Sequence, residues 1–173
     1  MKFITTISLV LFLACLTLGQ DSVKEGAELY RAGKYAEAIE AFKKVRELKG
    51  SLWLFVGASY YQLGKEDLAR GAFLKARELG RLHSIDGEKA METTNTVYPR
   101  LDGMSRASGR GNATLAVEFK ADKKIGFVFV VQTTDPQFGQ NCITTARGIK
   151  FKPATSGNSP VTTVQLVEYS YFR

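Results

Sequence analysis

Between Ser22 and Gly80, apolar and small residues fall into two copies of one pattern. Gly26-Ala27-Glu28-Leu29-Tyr30-Arg31-Ala32-Gly33 aligns with Gly57-Ala58-Ser59-Tyr60-Tyr61-Gln62-Leu63-Gly64. The same spacing of 31 residues pairs Ala38 with Ala69, Phe42 with Phe73, Val45 with Ala76 and Leu48 with Leu79. A period of this size predicts two helix–turn–helix units. Small residues at Gly26/Gly57 and Ala38/Ala69 let antiparallel helices approach, and Phe42 and Phe73 fill the space between one unit and the next. Gly50 and Gly80 are expected to end the units. Two units bury little by themselves, so the open face of the second needs cover. A short capping helix over Ser84–Thr94 is expected to supply it.

From Thr93 to Asn112 the composition shifts to Thr, Asn, Ser, Gly and Arg, with Pro99 inside, which reads as a linker or lead-in. Beyond it the period becomes two. Asn112–Lys120 places Ala113, Leu115, Val117 and Phe119 on one face of a first strand, and Ala121–Lys124 forms the turn. Ile125–Gln132 is a dense β-branched and aromatic second strand, buried for much of its length. Asp135-Pro136 suits a helix start, since Asp caps and Pro fits the first turn. Phe138 to Arg147 then carries Phe138, Cys142, Ile143 and Ala146 on one face and ends at Gly148. Val161–Phe172 is a third strand that reaches almost to the C-terminus. The fold class is therefore α+β, with N-terminal helical hairpins and a C-terminal β-β-α-β unit with an antiparallel sheet. The divisions are residues 1–19, 20–95, 96–111 (lead-in) and 112–173.

The first half resembles tetratricopeptide repeats over about residues 20–80. The motif is Gly-Ala-x-x-Tyr-x-x-Gly, then Ala, then Phe, with Trp53 where the family often has Trp. The resemblance implies a concave surface built by the first helix of each pair, lined by Val23, Ala27, Tyr30 and Arg31 and by Leu54, Ala58, Tyr61 and Gln62. The alternative is that Tyr30 and Tyr61 complete the packing beneath the cap.

The second half resembles the C-terminal domain of TonB-type transducers. The resemblance rests on Gly111-x-x-x-Leu115-x-Val117, Ile149-x-Phe151-x-Pro153-Ala154, Gly157-x-x-Pro160-Val161 and Glu168-Tyr169-x-Tyr171-Phe172. Asp122-Lys123-Lys124 stands where that family usually has a hairpin Gly, and helical repeats stand where a transducer has a Pro-rich spacer. What this implies is the fold, with an energy-coupling role in outer-membrane transport as the alternative function.

Lys2, the apolar run Phe3–Leu18 and the polar start at Gln20 form the pattern of a secretory signal peptide cut after Gly19. This points to a periplasmic or secreted protein. The alternatives are a lipoprotein modified at Cys15 or a signal anchor over residues 3–18, the two routes to a membrane. Removing residues 1–19 leaves Cys142 as the single thiol, so no internal disulfide forms. The only His is His83, and no His/Cys/carboxylate cluster, phosphate-binding Gly loop or paired catalytic carboxylates stand out. Glu37, Glu40, Glu66 and Asp67 read as solvated helix faces.

The formal charge of +7 belongs, in an exported chain, with acidic envelope partners rather than nucleic acid. The expectation is therefore a non-enzymatic module without cofactor or metal that binds a protein or peptide in the envelope. Its contact residues would be Tyr30, Arg31, Leu54, Tyr61 and Gln62 on the repeats. On the last strand they would be Gln165, Val167, Tyr169 and Tyr171, where a free edge can take up an extended segment or pair with a second copy.

Overall fold

A computed structural model describes residues 22–80, 85, 87–101 and 110–172. The expected leader over residues 1–19, Cys15 and His83 lie outside them.

Four helices come first: α1 over 22–31, α2 Tyr35–Lys43, α3 Gly50–Gln62 and α4 Glu66–Glu78. They form two hairpins with the repeat seen in the sequence. Gly33 and Gly64 turn each hairpin with φ of 77° and 71°, the left-handed region that favours glycine. Gly26 and Gly57 let the returning helix close in. A Cβ on either would lie 2.7 Å from the ring of Phe42 or Phe73 respectively. Gly50 does not end a unit as expected; it opens α3, where a Cβ would collide with the carbonyl oxygen of Gly80.

Among the described residues no capping helix covers the second hairpin. Among the described residues of 84–94 the chain forms two short strands, β1 Glu88–Lys89 and β2 Glu92–Thr93. This segment is too polar to present an apolar helix face. The cover is instead a three-stranded antiparallel sheet in the order β4-β3-β8, made of β3 Arg110–Phe119, β4 Ile125–Thr133 and β8 Thr163–Phe172. Phe73, which in a longer array would meet another hairpin, meets Phe127 and Phe129 of β4 at ring-centroid distances of 6.4 and 5.8 Å.

The sheet is covered on both faces. Ala116, Phe127, Phe129, Val131, Val164 and Leu166 join the helices in one apolar cluster. Leu115, Val117, Phe119 and Tyr171 join Phe138, Cys142 and Ala146 of α5 (Pro136–Ala146) in a second. Asp135 caps α5 by accepting the amide of Phe138 at 2.9 Å, with Pro136 in the first turn. The fold is thus α+β, three layers deep. Helical hairpins and sheet share a core, so residues 96–111 do not separate two independently buried units.

The passage after α5 folds into three short strands, β5 Phe151–Lys152, β6 Ala154–Ser156 and β7 Ser159–Val161. β5 pairs with β2, and β6 pairs with both β1 and β7. Val161 therefore belongs to β7, and the expected strand from 161 to 172 is broken at Thr162. The break has a cause: the Thr162 carbonyl accepts Arg31 Nε at 3.0 Å and its hydroxyl accepts the amide of Ala121 at 3.3 Å. The lead-in is docked as well. Asn95 bridges the Gly148 carbonyl and the Lys150 amide, and Asn141 of α5 donates to the carbonyl of Arg100.

Candidate interaction site

The surface that helices α1 and α3 would offer a partner is occupied by the chain itself. Tyr30 is 2% exposed and donates its hydroxyl to Glu118 of β3 at 2.5 Å. Burial first, then the neighbouring Glu118 carboxylate, pushes the Tyr30 hydroxyl far above the usual tyrosine pKa. Glu118 in turn explains Gly126 opposite it, where a Cβ would overlap a carboxylate oxygen. Arg31 holds both oxygens of Glu88, at 2.8 and 3.0 Å, besides the Thr162 carbonyl.

Tyr61 lies against Phe127 and Phe129 at 4.7 and 5.4 Å, and Leu54 is buried. Gln62 is exposed, with its side chain close enough to the Tyr30 hydroxyl to oppose slightly the rise in its pKa. Of the repeat residues expected to meet a partner, Tyr30 and Tyr61 therefore meet the chain's own sheet, Arg31 meets β1 and the Thr162 carbonyl, and Leu54 is buried in the shared core. The reason is energetic. Burying Phe129, Val131, Val164 and Leu166 stabilises the seam by about 6–12 kcal/mol at 1.5–3 kcal/mol each. That figure is an upper estimate, but it keeps the groove closed in all but a very small fraction of molecules.

The sheet has two edges, and they differ. β4 departs from regular pairing with β3 twice, between Thr114 and Leu115 and between Val117 and Phe119. At the first irregularity Arg70 of α4 donates to the carbonyls of Val130 and Val131, both at 2.7 Å. The same guanidinium sits 4.8 Å above the Phe129 ring. Bulges and a captured backbone blunt an edge against further pairing. β8 has neither. It runs in unbroken register with β3 from Phe119↔Thr163 to Arg110↔Phe172 and pairs with no other strand among the described residues.

Side chains along β8 alternate between the two layers. Gln165, Val167, Tyr169 and Tyr171 all face α5, and the structure spreads them unevenly. Tyr171 is buried, crossing Gly111 and meeting Phe138 edge-on at 4.7 Å. Gln165, Val167 and Tyr169 are half-buried. Burial pushes the Tyr169 hydroxyl up to about 12, and neither this hydroxyl nor that of Tyr171 has a hydrogen-bond partner among the described residues. The more accessible set is Glu168, Ser170 and Phe172 on the helical side, with Phe172 84% exposed. The alternation of β8 carried that signal, because Val164 and Leu166 assign this face to the helices.

Chemically reactive groups are sparse among the described residues. No cluster of His, Cys, Asp and Glu there could hold a metal ion. Cys142 is fully buried and its thiol is pushed up to about 12 by burial, so it is not a thiolate near neutral pH. No protein-family model and no curated protein matches this chain.

Proposed function

We propose that this protein is a non-enzymatic interaction module that recognises an extended peptide by adding it to the outer edge of β8. In this reading the two hairpins are tetratricopeptide-like and the C-terminal unit is TonB-like. Residues 1–19 act as an export signal, which places the interaction in the periplasm or cell envelope. The observation that carries the reading is the contrast between the two edges: β4 is bulged and captured by Arg70, whereas β8 is regular over its whole length. Such an edge offers main-chain donors and acceptors at strand spacing. Affinity comes from the ladder and selectivity from the side chains beside it. The hairpins contribute rigidity, holding β8 flat against α3, and the partner meets Glu168, Ser170 and Phe172 on one side and Val167 and Tyr169 on the other.

The test selects extended peptides from a random display library on the full chain and maps amide exchange in the complex. Protection concentrated in residues 166–172 supports strand addition. Protection confined to α1 or α3, with the β8 amides unchanged, refutes it. Ser170→Lys, an exposed position where a lysine discourages edge pairing, should weaken capture while leaving thermal stability within about 0.5 kcal/mol of the parent. Sedimentation of the free chain distinguishes a peptide partner from a second copy on the same edge.

A further inference from the structure

A separate feature lies on the far side of α5. Residues 97–101 run extended along that helix, tied down by the hydrogen bond from Asn141 to the Arg100 carbonyl at 2.9 Å. Exposure alternates along them: Val97 and Leu101 turn into the core, while Tyr98 and Arg100 turn outward. Tyr98 is 81% exposed, an unusual state for an aromatic ring on an ordered segment. Between this segment and α5 is a cleft of about 380 Å³, lined by Tyr98, Arg100, Asn141, Thr144 and Thr145 among others. That volume is within the range of small-ligand sites.

The hydrogen-bond inventory of the cleft narrows what fits. Thr145 donates its hydroxyl to the Asn141 carbonyl at 2.9 Å and Thr144 donates to that of Gln140 at 3.5 Å. Thr145 has thus directed its proton into the helix and presents acceptor lone pairs outward, whereas the longer Thr144 contact leaves that hydroxyl able to donate or accept. One N–H of the Asn141 amide is likewise committed to the Arg100 carbonyl. The donors left at the rim are the Tyr98 hydroxyl and the Arg100 guanidinium, and the guanidinium forms no ion pair among the described residues. A complementary ligand therefore supplies hydroxyl donors to the threonine oxygens, a carboxylate to the guanidinium, and an apolar face to the Tyr98 ring.

We propose that this cleft is a binding subsite for an acidic pyranose, a sugar ring bearing a carboxylate. The subsite does not depend on strand addition at β8, which lies on the opposite side of the α5 layer.

The experiment titrates the full isotope-labelled chain with D-glucuronate and follows amide shifts, with D-glucose and acetate as separate probes. Glucuronate is expected to shift residues 97–100 and 141–148 saturably, and glucose and acetate to bind at least about tenfold more weakly. Tyr98→Ala and Arg100→Ala are each expected to weaken glucuronate by about tenfold, the loss of one good contact. Both side chains are exposed, so an unchanged thermal midpoint verifies that the variants are folded. Absence of saturable shifts at 50 mM (roughly the limit for a useful single subsite) overturns the proposal. Equal response to acetate, or affinity unchanged in both variants, overturns it as well.

Discussion

Phe129→Ala is the sharpest probe of the shared core, because Phe129 belongs to the sheet yet its contacts are helical. Its ring is 7% exposed and lies 5.4 Å from Tyr61, 5.8 Å from Phe73 and 4.8 Å below the Arg70 guanidinium. Truncation removes the transfer free energy of a buried ring and leaves a cavity between two rigid layers, which costs about 3–5 kcal/mol. For a chain of 173 residues this lowers the thermal midpoint by roughly 10–15 °C. The assay is urea unfolding followed by helical circular dichroism, which reports the hairpins, and by amide exchange of β3, which reports the sheet. If the hairpins and the sheet share one core, both probes shift to lower urea together and coincide, as a single cooperative unit requires. A helical transition left at its parental midpoint, while the sheet is lost separately, would refute the shared core. It would also reopen the helical groove as a partner surface.

Four further outcomes follow from the same geometry. Gly57→Ala forces a methyl against the Phe73 ring and should cost about 1–3 kcal/mol by overpacking, read from the urea midpoint. Arg31→Ala leaves the carboxylate of Glu88 largely buried without its bidentate partner and should cost about 1.5–3 kcal/mol, with faster amide exchange in β1 and at Ala121. Lys123 adopts φ of 66° in the β3–β4 turn, so Lys123→Gly should stabilise by about 0.5–1 kcal/mol, measured by thermal unfolding; a loss of stability would count against the turn geometry. Cys142 and Tyr169 both titrate near 12 in the folded chain, above the roughly 8.5 and 10 of unfolded residues. The folded state holds these protons after the unfolded state has released them, so the stabilisation is present below about pH 8.5 and is lost progressively towards pH 12. The thermal midpoint should fall across that window, less steeply in Cys142→Ala, and the native thiol should resist aromatic disulfide reagents at pH 8.

Much of the local structure was legible because it depends on neighbours in the chain. The 31-residue spacing gave the two hairpins, and Gly33 and Gly64 gave their turns. Asp135-Pro136 gave the start of α5, and the alternation of Ala113, Leu115, Val117 and Phe119 gave the face that α5 covers. The second face of the sheet was harder to read. β3 is buried on both sides, and the clue was the near-continuous apolar run Ile125–Val131, which suits a strand covered twice. What covers it could not be read from residues 125–131 themselves, since a hairpin array and a single helix bury apolar side chains equally well.

The sequence by itself determined the elements, their order and the turns, because propensity, capping and periodicity act over a few residues. Only the tertiary structure decided that the sheet seals the open end of the hairpins. That decision turned Tyr30, Arg31 and Tyr61 inward, broke the last strand at Thr162 and left β8 as the regular edge. These outcomes rest on contacts between residues 30 and 118, 31 and 88, and 70 and 130. Such contacts are selected by the apolar area buried across the whole seam, a quantity that exists only once the layers have met.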